Sequence, residues 1–337
     1  MNKSDSTQLH NWFLAHQRRL PWRENRDPYR IWISETMLQQ TTTTAVLGYY
    51  ERFLTQFDTL HKLAHSSIED VYKLWAGLGY YSRARNLHKA AQLLAKMSEF
   101  PKSYTELLKF PGFGPYTARA VSSLAFSEQV GVLDGNVIRV LSRKENLALE
   151  WWRPKIRAQM QAQIDQFVQF GQSEVLNQAL MELGSQICVP KNPHCKICPW
   201  LKTCKSFKAK TVALRPLKKP RRKSEIWIWT PKIQVKNDSV FLQKNDYAPF
   251  LRGAWILPGK VKSSKNRPQR YDFRHSITHH DIFVQLESKA AIINSRTPVS
   301  KKERKESEKW VKIQQLSSVA TSSLIKKALE HAKCTSL

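Results

Sequence analysis

No stretch of the sequence approaches the roughly 18 consecutive apolar residues of a membrane span. The opening "MNKSDSTQLHNWF" also lacks the charged-then-apolar pattern of a secretory signal. A cytoplasmic protein is therefore expected, in a compartment where thiols stay reduced. Cysteine is scarce, five in 337 residues, so a disulfide framework is a poor source of stability. Acidic side chains are few as well: 27 Asp and Glu stand against 55 Lys and Arg, a formal net charge of +28. Such a balance is foreign to ordinary metabolic enzymes and attracts polyanions. The cations are interleaved with aromatic residues, and 41% hydrophobic residues with eleven tryptophans supply material for folded cores. Composition thus indicates a folded nucleic-acid enzyme or binder, long enough for two domains.

From about Leu9 to Gly184 apolar residues recur at helical spacing, as in Val71, Leu74, Trp75 and Leu78. "ENRDP", "AGLGYYS" and "LDGN" punctuate them as turns. The pattern predicts about eight to ten helices and no strand. A cysteine-rich stretch (188–204) follows, then "LRPLKKPRRKS" (214–224), which reads as an exposed linker. Beyond it, "EIWIWT", "SVFLQK" and "HDIFVQL" have strand-like spacing, and "SSLIKKALEHA" reads as an amphipathic helix. "SKKERKESEKW" (300–310) reads as a solvated charged loop. The expected organisation is a mainly α domain over 1–213, a linker over 214–224 and a smaller α+β domain over 225–337.

Three features carry chemistry. Cys188, Cys195, Cys198 and Cys204 form a C-x6-C-x2-C-x5-C loop, with Cys334 outside it. Four thiolates suit tetrahedral zinc or a [4Fe–4S] cluster, and the spacing alone does not choose. "FPGFGPYTARA" (110–120) is a tight turn between helices. Gly112 and Gly114 there permit positive φ and close backbone approach, and the next helix N-terminus aims N–H groups at a phosphate. Carboxyl groups stand at Glu35, inside the apolar helix "YRIWISETML", and at Asp134 in "LDGNVIRVL". A buried carboxyl is costly unless protonated, paired or used. Asp before Gly is also a common helix N-cap.

The hairpin, "LDGN" and the cysteine loop together resemble the endonuclease III superfamily of helix-hairpin-helix DNA glycosylases over most of residues 8–205. "LPWRENRDPYRIWISETMLQQTTT", above all "SETMLQQT" (34–41), resembles the adenine DNA glycosylases of the MutY type. The resemblance implies a [4Fe–4S] cluster on the four loop cysteines. It implies that Glu35 protonates adenine N7, that Asp134 stabilises the resulting oxocarbenium ion and that Asn136 supports the site. Tyr116 stands where endonuclease III carries lysine. A phenol forms no Schiff base, which implies base release by hydrolysis alone. Trp22, Arg23, Leu38, Tyr116 and Gln178 would line the adenine pocket. Gln40 and Tyr80 would enter the duplex around a flipped nucleotide. Arg83, Arg85, Gly112 and Gly114 would meet phosphates.

"FLRGAWILPGK" (250–260) is similar to a strand-turn of the family's Nudix-like domain. No E-x7-R-E metal helix follows Gly259, so no pyrophosphohydrolase activity is expected. "FRHSITHHDI" (273–282) matches the family's 8-oxoguanine-contacting segment, with Ile277, Thr278 and His279 in place of Phe-Ser-His. Thr278 keeps a hydroxyl and His279 is retained, while Ile277 turns an aromatic wedge aliphatic. An added DNA clamp is the alternative to this reader role. The implied partner is double-stranded DNA with A opposite 8-oxoguanine or G, bound by a monomeric, nucleoid-associated bacterial enzyme. A pyrimidine- or thymine-directed relative is disfavoured by Glu35, "MLQQT" and the second domain. A catalytically silent, cluster-bearing damage sensor is disfavoured by Glu35 together with Asp134.

Overall fold

The computed structural model describes residues 1–220, 223–287, 291–292, 307–319 and 322–332. Cys334 and the first part of the 300–310 charged loop lie outside them. The chain divides into two compact units, residues 1–66 with 82–220 and residues 67–81 with 221–337.

Between Lys3 and Gln186 the described residues form eleven α-helices and no strand. They are α1 (Lys3–His16), α2 (Pro28–Leu38), α3 (Thr43–Gln56), α4 (Leu60–His65), α5 (Ile68–Trp75), α6 (Tyr81–Leu94), α7 (Tyr104–Leu107), α8 (Pro115–Phe126), α9 (Gly135–Lys144), α10 (Pro154–Val168) and α11 (Ser173–Gln186). A further turn, α12, spans Lys205–Lys208. The excess over the expected number comes from α4 and α7, each too short to show a periodic apolar stripe. In the first unit, Leu9 and Phe13 of α1 meet Val137, Ile138 and Leu141 of α9 and Leu176, Leu180 and Leu183 of α11. Each such side chain contributes about 1.5–3 kcal/mol on burial. Trp200, just past the cysteine loop, closes this core and donates its indole N–H to the Asp5 carbonyl at 2.9 Å.

The second unit is α+β. It takes α5 and the strands β1 (Glu225–Pro231), β2 (Gln234–Lys236), β3 (Ser239–Lys244), β4 (Trp255–Ile256), β5 (Gly259–Ser264), β6 (Phe273–Ile277), β7 (His280–Val284), β8 (Ala291–Ile292) and β9 (Glu308–Lys312). One sheet has the order β5-β1-β7-β6. Its β1–β7 pair is parallel and its other pairs are antiparallel. A second sheet runs β4-β3-β2-β8, with β9 also on β3. The helix α13 (Ser323–His331) covers a core of Trp229, Val240, Leu242, Ile256 and Ile282 with Leu324, Ile325 and Leu329. The end of the charged "SKKERKESEKW" stretch is strand rather than loop. Trp310 pairs with Phe241 across β9 and β3, rings 5.4 Å apart, and this aromatic pair outweighs the local charge density.

Candidate active site

The first unit holds a cavity of about 340 Å³ between α2, α8, α11 and the start of α9. Trp22, Arg23, Glu35, Leu38, Tyr116, Asp134, Asn136 and Gln178 all line it. α2 begins where Asp27 accepts hydrogen bonds from the Tyr29 and Arg30 N–H groups, with Pro28 at the first helical position. It is buried from Ile31 to Met37, and Glu35 is only 4% exposed. Tyr116, in the first turn of α8, donates its hydroxyl to Glu35 Oε2 at 2.6 Å. Burial lifts Glu35 to about 7 against the opposing pull of Tyr116, and Asp134 adds to the rise while Arg23 lowers it. Burial first, then the two carboxylates, hold the Tyr116 phenol well above its usual range, so it remains a donor.

Asp134 is both an N-cap and a site residue. Its Oδ1 accepts the Val137 N–H at 2.7 Å and its Oδ2 accepts from Asn136 Nδ2 at 2.9 Å. Burial raises its carboxyl, and those donors, aided by Arg139, pull it back toward the ionised form. Arg139 in turn donates to Asn136 Oδ1 at 2.8 Å and to the Cys188 carbonyl at 2.7 Å.

The sequence reading missed the ion pairs behind Arg23. Glu182 on α11 accepts from Arg18 Nε at 2.7 Å and from an Arg23 guanidinium nitrogen at 2.9 Å. These cations hold Glu182 below its ordinary value despite burial. The pairs span 159 and 164 residues, a separation no local motif signals. Met181 also faces the cavity, its sulfur 3.6 Å from the Tyr116 hydroxyl.

The hairpin divides its glycines. Gly112 has φ +85°, and a Cβ there would meet Asn86 Cβ at 3.1 Å. Gly114 does not need positive φ: at −78° it is the N-cap of α8, with nothing within 4 Å of an added Cβ. Pro115 follows, so the first turn of α8 presents backbone N–H groups without a capping side chain.

Arg83 departs from its expected place at a phosphate. Its guanidinium donates to the Thr36 and Met37 carbonyls, both at 3.0 Å, and to the Gln39 carbonyl. It closes the C-terminal end of α2, where carbonyls lack helical partners. Arg85 is exposed. Gln40 and Tyr80 are exposed residues in the left-handed backbone region, φ +58° and +48°, and Tyr80 is 54% accessible.

The four loop cysteines line one small, otherwise mainly apolar cavity with Ile187, Leu201 and Phe207. Arg143 lies against it, 3.5 Å from Cys188 Sγ, and donates to the Val189 and Pro190 carbonyls at 2.7 and 3.0 Å. Four thiolates around one space, with a guanidinium to offset their charge, fit a metal centre. In the second unit, Ile277 and His280 close the β6–β7 hairpin, and Thr278 at its tip has φ +55°.

The hairpin before α8 and the two buried carboxylates lie within residues 33–163, which match the HhH-GPD superfamily of base excision DNA repair proteins. Over 295 residues the chain is 33% identical to an adenine DNA glycosylase of Buchnera aphidicola from Baizongia pistaciae, covering 81% of this chain and 82% of the relative. The enzyme of the same name in Buchnera aphidicola from Schizaphis graminum is 31% identical, covering 81% and 84%. The chain belongs to the adenine DNA glycosylase family. A thermostable thymine-DNA glycosylase superposes on 61% of this chain and 96% of its own, with 27% identity and a TM-score of 0.56.

Proposed function

We propose that this enzyme hydrolyses the N-glycosidic bond of adenine opposite 8-oxoguanine or guanine in double-stranded DNA. The juxtaposition of Glu35 and Asp134 in one cavity carries the reading. Glu35, protonated up to about neutral pH, delivers a proton to adenine N7. The C1′–N9 bond then breaks with its electron pair leaving on adenine. Ionised Asp134, held by Val137 and Asn136, stabilises the oxocarbenium charge. Water adds to C1′, directly or after a transient glycosyl-aspartate, keeping one hydrogen on the new hydroxyl and passing the other as a proton to the carboxylate left on Glu35. Tyr116 offers no amine for a Schiff base, so the strand stays intact.

Trp22, Arg23, Leu38 and Gln178 form the walls around the flipped base. Gln40 and Tyr80 enter the duplex, and the hairpin N–H groups and Arg85 take phosphates. Cys188, Cys195, Cys198 and Cys204 would hold a [4Fe–4S] cluster, which when bound would fix their loop. Lys191, Lys196, Lys202 and Lys205 around that loop offer charge to the DNA backbone. We read residues 1–213 as the catalytic domain and 225–337 as a Nudix-like reader in which Ile277, Thr278 and His279 meet 8-oxoguanine. The protein acts as a monomer in the bacterial cytoplasm, on the nucleoid. Among the described residues no helix is long and apolar enough to cross a membrane.

Replacing Glu35 with Gln tests the assignment. Base release is expected to vanish while duplex binding persists. Loss of both together would make Glu35 a structural residue.

A further inference from the structure

A separate cluster stands where β1 meets β7. Glu225 pairs in parallel register with His280, and its N–H donates to the His279 carbonyl at 2.8 Å. Successive strand residues point to opposite faces. Here, however, the left-handed turn at Thr278 precedes the pair, and the His279 and His280 rings lie 4.0 Å apart. Both imidazoles face one carboxylate. His280 Nδ1 is 3.1 Å from Glu225 Oε2, and His279 Nε2 is 3.6 Å from Oε1. Ligands about 2.0–2.1 Å from a tetrahedral ion stand roughly 3.3–3.4 Å from one another, between those two distances.

The surrounding hydrogen bonds leave this space rich in acceptors. The Thr278 hydroxyl gives its one proton to the Ile277 carbonyl at 2.7 Å, so it offers a lone pair to His279 Nδ1, 3.3 Å away. In the tautomer with the ring hydrogen on Nδ1, that hydrogen goes to Thr278 and Nε2 is left with a lone pair toward Glu225. The Trp227 indole N–H, a donor only, reaches His280 Nδ1 at 3.1 Å and Glu225 Oε2 at 3.2 Å. His280 Nδ1 is therefore unprotonated, and its single lone pair accepts the indole N–H, which an ion would have to displace. With the indole N–H displaced, two imidazole nitrogens and a carboxylate at these separations form a three-ligand set for one cation.

We propose that Glu225, His279 and His280 bind a divalent transition-metal ion, zinc being the chemically matched one. Thr278 orients His279 from behind, through the ring nitrogen that does not face Glu225. The fourth position is left to water. The ion would hold the β6–β7 tip in one conformation. This proposal does not rest on the glycosylase reading; with the ion bound both His279 ring nitrogens are engaged, and 8-oxoguanine would be met by Ile277, Thr278 and the face of that ring. It is distinct from the thiolate site.

Full-length protein, its cysteine loop loaded, is dialysed against micromolar Zn²⁺ and assayed for zinc and iron in the same sample. One zinc per chain beyond the loop's metal is expected, with iron unchanged. Glu225→Gln and His280→Ala should each weaken zinc binding at least about tenfold. Circular dichroism confirms that both variants are folded, and Thr278→Val, which keeps all three ligands, should weaken binding less than either. Absence of the extra zinc would overturn the proposal and leave a proton as the cation. Zinc retained equally by both ligand variants would overturn it too, placing the ion elsewhere.

Discussion

The Tyr116 hydroxyl and the Glu35 carboxyl, 81 residues apart in sequence, share a 2.6 Å hydrogen bond inside a cavity that Asp134 also lines. The phenol occupies Oε2, which leaves Oε1 of Glu35 to carry the proton that the proposed mechanism delivers to adenine. Burial holds that proton on the acid up to about pH 7.

The rate of base release should follow this titration. With Glu35 as the proposed acid, the single-turnover rate is expected to be sustained below about pH 7 and to fall above it. Protonation of Asp134 gives a second fall on the acid side, its carboxyl being raised by burial. The two limbs belong to the coupled pair. Stability shifts with the same sign. The folded-state value of Glu35 lies above the ordinary 4.5, so its protonated form supports the fold at low pH. That support is lost as pH rises from 4.5 through about 7, a change of about 3 kcal/mol. Glu35→Gln should therefore be more stable than wild type at pH 8 and comparable at pH 4.5, as read by denaturant unfolding.

On the proposed reading, Tyr116 separates hydrolysis from strand cleavage. Tyr116→Lys places an amine at the sugar and should yield a covalent complex trapped by borohydride, where wild type yields none. Tyr116→Phe removes a bond that lowers Glu35, so its alkaline limb should move to higher pH. Trapping by wild type would reveal a different amine nucleophile.

The hairpin glycines should respond differently to alanine. Gly112→Ala forces a side chain into the left-handed region against Asn86 and should cost about 1–2 kcal/mol of stability. Gly114→Ala meets no protein atom, and the N-cap preference for Gly over Ala should cost it only a fraction of the Gly112→Ala loss. It should still weaken duplex binding, because its Cβ would stand where a phosphate approaches α8. Equal stability losses for the two would contradict this division.

The carboxylate pair was legible in sequence because short motifs hold each member: "SETMLQQT" around Glu35 and "LDGN" around Asp134. Periodicity located the long helices, and strand-like spacing found β1, β3 and β7. What stayed hidden depends on distant partners. Arg83 looks like a phosphate ligand in "YYSRARN", yet its partners are carbonyls at the end of α2. Glu182 sits in a helical repeat, and only the fold brings Arg18 and Arg23 to it. The strand β9 was masked by its charged neighbours until its pairing with β3 was visible.

The most direct test uses purified protein and duplexes carrying one adenine opposite 8-oxoguanine, guanine or thymine. Free adenine and strand breaks are measured with and without alkali. The predicted result is adenine release opposite 8-oxoguanine and guanine, none opposite thymine, and breaks only after alkali. Equal release opposite thymine, or no release from any duplex that the protein binds tightly, would contradict the proposed function.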